Sequence, residues 1–239
     1  MIRAMLFATM ITMFATPSFA QLYIGVQGGV GIASQSWDLK KRADPSAELT
    51  FSSLTGITGG LMVRYNLTKN IGIQGELNYL RKGSHMLSSV NMSEYDTLIG
   101  NTDFSFNYIE IPVMFCYTLP SVLPMLDVNF LAGPSIGFYE SGRSNVSTIL
   151  SSTGQNSQVD FEELIFKKNV RSPDFGITAG IGTTLNLSPS LSFMLTGRYL
   201  FGLTNIVVDV PPPPSPISIG ATAARNRTII IMAGAALRL

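Results

Sequence analysis

From Leu191 to Leu203 the chain reads LSFMLTGRYLFGL, with Leu191, Phe193, Leu195, Tyr199, Phe201 and Leu203 on odd positions and Ser192, Thr196 and Arg198 between them. A period of two places alternate side chains on opposite faces of a strand. The alternation recurs elsewhere. Ile57, Leu61, Val63 and Tyr65 are opposed by Thr58, Arg64 and Asn66, and Ile177, Ala179, Ile181 and Leu185 by Thr178, Thr184 and Asn186. The pattern predicts eight strands, at about Leu22–Ala33, Thr55–Leu67, Ile71–Lys82, Phe104–Leu119, Met125–Tyr139, Asp174–Leu187, Leu191–Leu203 and Arg227–Leu239. At about 12 to 16 residues each they exceed soluble strands of about five or six, and somewhat exceed the roughly 9 to 11 that cross a bilayer at a tilt.

The connections alternate in length. Asn66–Asn70, Pro120–Pro124 and Leu187–Ser190 are tight, whereas Ser34–Leu54, Gly83–Asp103, Ser141–Pro173 and Thr204–Asn226 are long. This form predicts an all-β fold: an eight-stranded antiparallel up-and-down transmembrane β-barrel, with short periplasmic turns and four long extracellular loops. A soluble sandwich is the alternative, but its outward apolar rows would need a protein core of their own. In hydrocarbon, a closed barrel is the sheet that pairs every backbone group. On this reading the odd positions of Leu191–Leu203 face lipid and Arg198 faces a lumen.

Composition agrees. Of 239 residues, 46% are hydrophobic and 13% charged, against about 25% charged in an ordinary soluble domain. The opening MIRAMLFATMITMFATPSFA has one cation, Arg3, an apolar run from Ala4 to Ala15 and the ending Ser18-Phe19-Ala20. That is the layout of a secretory signal peptide. The expected division is residues 1–20 as signal peptide and 21–239 as barrel. Removing Arg3 leaves 16 − 1 = 15 Lys and Arg against 15 Asp and Glu. A neutral chain has no general basic field for nucleic acid. Nor is there a run of about 18 apolar residues to form a spanning helix, because Phe106–Tyr139 is broken by Glu110, Pro112, Pro120, Pro124 and Asp127.

A short internal repeat runs through the strands: GVQGG (Gly25–Gly29), GITGG (Gly56–Gly60), GIQGE (Gly72–Glu76) and GITAG (Gly176–Gly180). In each, the first, third and fifth residues take the inward parity, where small side chains let a narrow barrel close. A phosphate-cradling loop at GVQGGVG is excluded by the absence of a helix signal after it.

FNYIEIPVMFCYTL (Phe106–Leu119), VNFLAGPSIGFY (Val128–Tyr139) and the opening LYIGVQGGVG together resemble the PorT-like outer-membrane β-barrel family, often labelled "porin family protein". The resemblance covers the chain after Ala20 in strand order and spacing. It implies an eight-stranded outer-membrane barrel, and some relatives belong to a protein secretion machinery. The sequence departs from the family in ending on Leu239 instead of an aromatic residue, and in carrying PPPPSP (Pro211–Pro216) in the final loop.

Candidate chemistry is sparse. Inward parity assigns Arg64, Gln74, Glu76, Glu110, Asp127, Arg198 and Arg238 to the lumen, as a structural network of pairs that plugs the bore. The turn after Asn66 sets Arg64 opposite Gln74 and diagonal to Glu76. Trp37, Lys40, Lys41, Arg42, Lys167 and Lys168 are loop candidates for lipopolysaccharide phosphates, by Coulomb attraction; a solvated rim is the plain alternative. Pro112 suggests a bulge. The lone His85 and Cys116 supply neither a metal site nor a cofactor site. His85 reads as an exposed loop residue, since its neighbour Ser84 points to the other side of an extended chain. The expected partners are outer-membrane lipid, lipopolysaccharide and a larger outer-membrane or secretion complex. The expected role is a non-catalytic structural or accessory barrel docking through its loops. A narrow channel ranks next. A lipid hydrolase ranks last, since no acid, base and nucleophile visibly converge.

Overall fold

Two short turns, after Asn66 and after Asn186, set the registers of their hairpins in the same way. The Thr68 hydroxyl accepts from the N–H of Asn70 at 3.2 Å and of Ile71 at 3.0 Å, and the Ser188 hydroxyl accepts from Ser190 at 3.3 Å and Leu191 at 3.0 Å. Short hydroxyl side chains that bond backbone a few residues on favour turns over continued strand. The short hairpin between them in the chain reverses through Pro124 and Met125, the latter at φ 65°.

The structure is a computed structural model describing residues 21–39, 48–93, 96–150, 153–154, 156–161, 170–206 and 221–239. Its strands are β1 (Gln21–Leu39), β2 (Glu48–Asn66), β3 (Ile71–Ser93), β4 (Asp96–Leu123), β5 (Leu126–Leu150), β6 (Asn156–Phe161), β7 (Asp174–Asn186), β8 (Leu191–Gly202) and β9 (Ala221–Arg238). All pairings are antiparallel. β1 pairs with both β2 and β9, and β4 with β5, so eight strands close in the order β1-β2-β3-β4-β5-β7-β8-β9. β6 lies outside the ring, paired with Ser144–Ile149 of β5.

The predicted faces appear in the burial. On β8, Phe193, Leu195 and Tyr199 point outward, while Ser192, Met194, Thr196, Arg198 and Leu200 are buried. β2 does the same, with Ile57 and Leu61 exposed and Thr58, Met62 and Arg64 buried. A sheet apolar outside and filled with polar and small side chains inside suits lipid around it.

Two of the stretches expected to be loops, Ser34–Leu54 and Gly83–Asp103, are largely strand, and Ser141–Pro173 begins as strand. β3, β4 and β5 run to 23, 28 and 25 residues. The apolar alternation fades beyond the barrel, where Ser88, Ser89, Asn91, Thr97 and Asn101 replace it, yet the ladder Ser88↔Gly100 and Leu87↔Asn101 continues. Backbone pairing needs no apolar face, so periodicity alone underestimates these strands. One end of the barrel therefore has short turns and the other a tall wall. Along that wall β1 and β2 part company after Ala33↔Leu54; β1 stays with β9 and β2 with β3.

The bulge expected at Pro112 is absent. Gly75↔Val113 and Asn78↔Glu110 keep one register on either side of it, and Pro112 itself faces Ser135. The irregularity lies higher, between Asn107 and Tyr108. The repeat has a steric cause. A Cβ on Gly29 would lie 1.9 Å from the Ile231 carbonyl oxygen, and one on Gly60 would lie 2.0 Å from that of Leu77. The fifth position is glycine where neighbouring backbone comes this close.

Candidate functional site

The lumen is built from the inward positions of all eight ring strands. Gln74, Glu76 and Asn78 follow one another on the inner face of β3. Arg198 reaches them from β8, on the opposite side of the ring. Its Nη1 lies 2.6 Å from Glu76 Oε2, and its Nη2 donates to Gln27 Oε1 and to Thr196 Oγ1, both at 3.2 Å. Asn78 Nδ2 donates to Glu76 Oε2 at 2.7 Å, Gln74 Nε2 donates to Glu76 Oε1, and Gln27 Nε2 donates to Asn78 Oδ1 at 3.0 Å. Arg64 Nε donates to Gln74 Oε1 at 2.7 Å and its Nη1 to Asn129 Oδ1 at 3.1 Å. Glu76 thus has both oxygens satisfied.

A second cluster stands nearer the tall end. Lys82 Nζ lies 2.7 Å from Glu110 Oε2 and 3.0 Å from Asp174 Oδ2, with the Tyr108 ring centroid 4.5 Å away. Ser135 donates to Glu110, and Asn226 Nδ2 donates to Asp174 Oδ2 at 2.9 Å. Gln35 Nε2 donates to Asn226 Oδ1 at 3.1 Å and Ser84 donates to Gln35 Oε1 at 2.9 Å. Between the clusters pack Leu80, Leu200, Ile230 and Met232. Beside the first cluster pack two further apolar groups, Met62, Met194 and Ala236, and Met114, Cys116 and Leu131.

The charges balance. Arg64, Lys82 and Arg198 face Glu76, Glu110 and Asp174, three cations against three carboxylates, each at most 5% exposed. Buried charge is tolerable only when paired and hydrogen-bonded. The arrangement fills the bore with side chains, as an eight-stranded barrel allows.

Of the residues assigned to the lumen from sequence, Arg64, Gln74, Glu76, Glu110 and Arg198 are buried there. Asp127 and Arg238 are not part of the network. Asp127 is half-buried at the short-turn mouth, accepting from Ser121 N–H at 2.8 Å and Asn186 Nδ2 at 2.9 Å. Arg238 is exposed at the rim of a cavity of about 550 Å³ lined by Gln21, Tyr23, Asn66, Asp127 and Ser192. Parity fixed their face, but their place at the strand end put them in water. Lys82 and Asp174 escaped notice because each sits at the edge of a predicted strand; counting parity from Glu76 to Lys82 would have found the first.

Trp37 is not in a loop. It lies on β1, its ring 6.0 Å from Phe51 and 5.7 Å from Phe104. Phe104, Phe106, Tyr139 and Tyr108 continue this aromatic column down to Lys82. Lys40, Lys41, Arg42, Lys167 and Lys168 lie outside the described residues, as does the Pro211–Pro216 run. His85 is also on a strand, β3. It stands opposite Asp103 of β4, and its Nδ1 bonds Asp103 Oδ1. Among the described residues no group of three His, Cys, Asp or Glu is placed to hold a metal.

Residues 19–208 match the family described as "Outer membrane protein beta-barrel domain". The chain belongs to this family. This outer membrane barrel is similar in fold to solved structures of low sequence identity. The attachment invasion locus protein Ail of Yersinia pestis is 14% identical, covering 92% of this chain and 99% of that one, with a TM-score of 0.38. Neisserial surface protein A is 13% identical over 90% and 96%, at 0.42. OprG of Pseudomonas aeruginosa is 12% identical over 91% and 95%, at 0.45. Comparison with curated proteins finds no match. The family places the barrel in the outer membrane.

Proposed function

We propose that this outer membrane barrel is a closed, non-conducting anchor, and that its working part is the tall end, which faces outward and docks a partner protein. It acts as a structural or accessory component. The observation that carries this reading is the asymmetry of the two ends: turns of a few residues at one, and paired strands of 23, 28 and 25 residues at the other, where about 9 to 11 suffice to cross the membrane. Long ordered connections on a rigid scaffold are where binding residues concentrate. The resemblance of Phe106–Leu119 and Val128–Tyr139 to PorT-like barrels supports a secretion complex as the partner.

Site-specific photo-crosslinking in living cells tests the proposal. A crosslinker at Ile99, outward-facing on the β4 extension, should capture one discrete partner, and a crosslinker at Lys69 in the short turn should not. Capture from Lys69 alone would overturn it. The narrow-channel alternative is tested by the conductance measurement below.

A further inference from the structure

Above the barrel, three strands bring together residues that are far apart in sequence. β2 pairs with β3 so that Ser52 stands directly opposite His85, and β3 pairs with β4 so that His85 stands directly opposite Asp103. Directly opposed residues in a sheet share a face, with Cα atoms about 4.5 to 5.5 Å apart. Here that face is the outer one, because Phe51 and Ser84 on either flank turn inward, to Trp37 and Gln35. Serine, histidine and aspartate therefore lie side by side in one row across the wall.

The row is chemically ordered. Asp103 Oδ1 accepts from His85 Nδ1, which fixes the tautomer and leaves Nε2 as the basic nitrogen. Ser52 is exposed on the flank away from Asp103, and the His85 and Asp103 side chains are each 38% exposed. A nucleophile, a base and a group that orients the base, in that order, form the constellation of acyl transfer. Immediately below Ser52 the β2–β3 register shifts between Ser53 and Thr58. A shift of this kind disrupts the ladder locally and leaves one extra residue of β2 unpaired with β3. Leu87, two residues along β3 on the same face and 48% exposed, offers apolar surface to an acyl chain.

We infer that Ser52, His85 and Asp103 form an esterase site on the outer face of the tall wall, acting on carboxylic esters at or above the lipid headgroups. The height follows from β3, where lipid-facing Leu77 gives way to Arg81, hydrogen-bonded to Asn107; His85 is four residues further, about 13 Å along the strand. Ser52 Oγ attacks the ester carbonyl carbon and its proton passes to His85 Nε2. The tetrahedral adduct collapses, the proton leaves on the alkoxide as an alcohol, and an acyl-serine remains. Water, deprotonated by the same nitrogen, then releases the carboxylic acid and restores the serine. Ser52 and His85 are the catalytic residues; Asp103 is a positioning residue.

The test uses the refolded full barrel in detergent. A fluorophosphonate probe should label Ser52, as located by peptide mass spectrometry. Ser52→Ala should abolish labelling, His85→Ala should slow it by about 100-fold or more, and Ser53→Ala should leave it unchanged. Asp103→Asn should lose most of the labelling rate with an unchanged thermal midpoint, which a merely structural role would not do. Hydrolysis of p-nitrophenyl acetate in solution identifies a soluble ester as the substrate type; hydrolysis of p-nitrophenyl palmitate in mixed micelles identifies a lipid ester. No label on Ser52, or labelling undiminished in His85→Ala, overturns the inference.

Discussion

Arg198 Nη1 and Glu76 Oε2 meet at 2.6 Å although 122 residues separate them. β3 and β8 are diametrically opposite in the ring, so this ion pair spans the bore. Removing one partner leaves the other charge buried, at a cost of about 3–5 kcal/mol. Glu76→Ala should therefore lower the thermal midpoint of the detergent-solubilised barrel. The double variant Glu76→Ala/Arg198→Ala should recover part of that loss. Additive losses would mean the two side chains act separately.

A bore closed by six buried charges and three apolar clusters should not conduct. Planar-bilayer recording on the purified barrel should show no steady current at neutral pH, for the native chain and for Arg64→Ala alike, because eight strands leave room only for side chains. A stable open channel in the native protein would refute the closed anchor.

Orientation is checked by surface labelling. An epitope inserted at Gly154, beside β6, should be reached by antibody on intact cells. One inserted at Lys69, in the short turn between β2 and β3, should be reached only after the outer membrane is opened. The reverse result would invert the barrel in the membrane.

The lipid face makes a graded prediction. Leu61 points outward on β2 and is 55% exposed. Leu61→Arg should destabilise the folded barrel in lipid vesicles by about 2–4 kcal/mol, the cost of a cation near the bilayer midplane. Thr50→Arg, exposed on the same strand within the tall end, should change stability by less than about 0.5 kcal/mol. Equal effects at both positions would mean that hydrocarbon does not surround the β2 barrel segment.

Close backbone approach predicts intolerance at two glycines. Gly29→Ala and Gly60→Ala each place a methyl group within about 2 Å of a cross-strand carbonyl, closer than any atoms can pack. Both should lower the yield of heat-modifiable folded barrel, with Gly75→Ala, whose added Cβ meets nothing within 4 Å, as the tolerated control.

By itself the sequence determined the barrel and its two faces. Local physics suffices for that: a period of two separates lipid from lumen whatever the strand's partner, and hydroxyl-bearing turns such as Thr68 and Ser188 stop one strand and start the next. Hence Arg64, Gln74, Glu76, Glu110 and Arg198 were legible as inward, and Ile57 and Leu195 as outward. Only the tertiary structure decided which inward charges meet. Arg198 finds Glu76, and Lys82 finds Asp174, across ring closure, which depends on registers summed over several hairpins. It also decided how far the strands run, since polar extensions such as Ser88–Asn91 pair by backbone and leave no apolar trace. For the same reason Ser52, His85 and Asp103 look unrelated along the chain: each lies on a stretch without alternation, and only the ladders from β2 to β4 set them in one row.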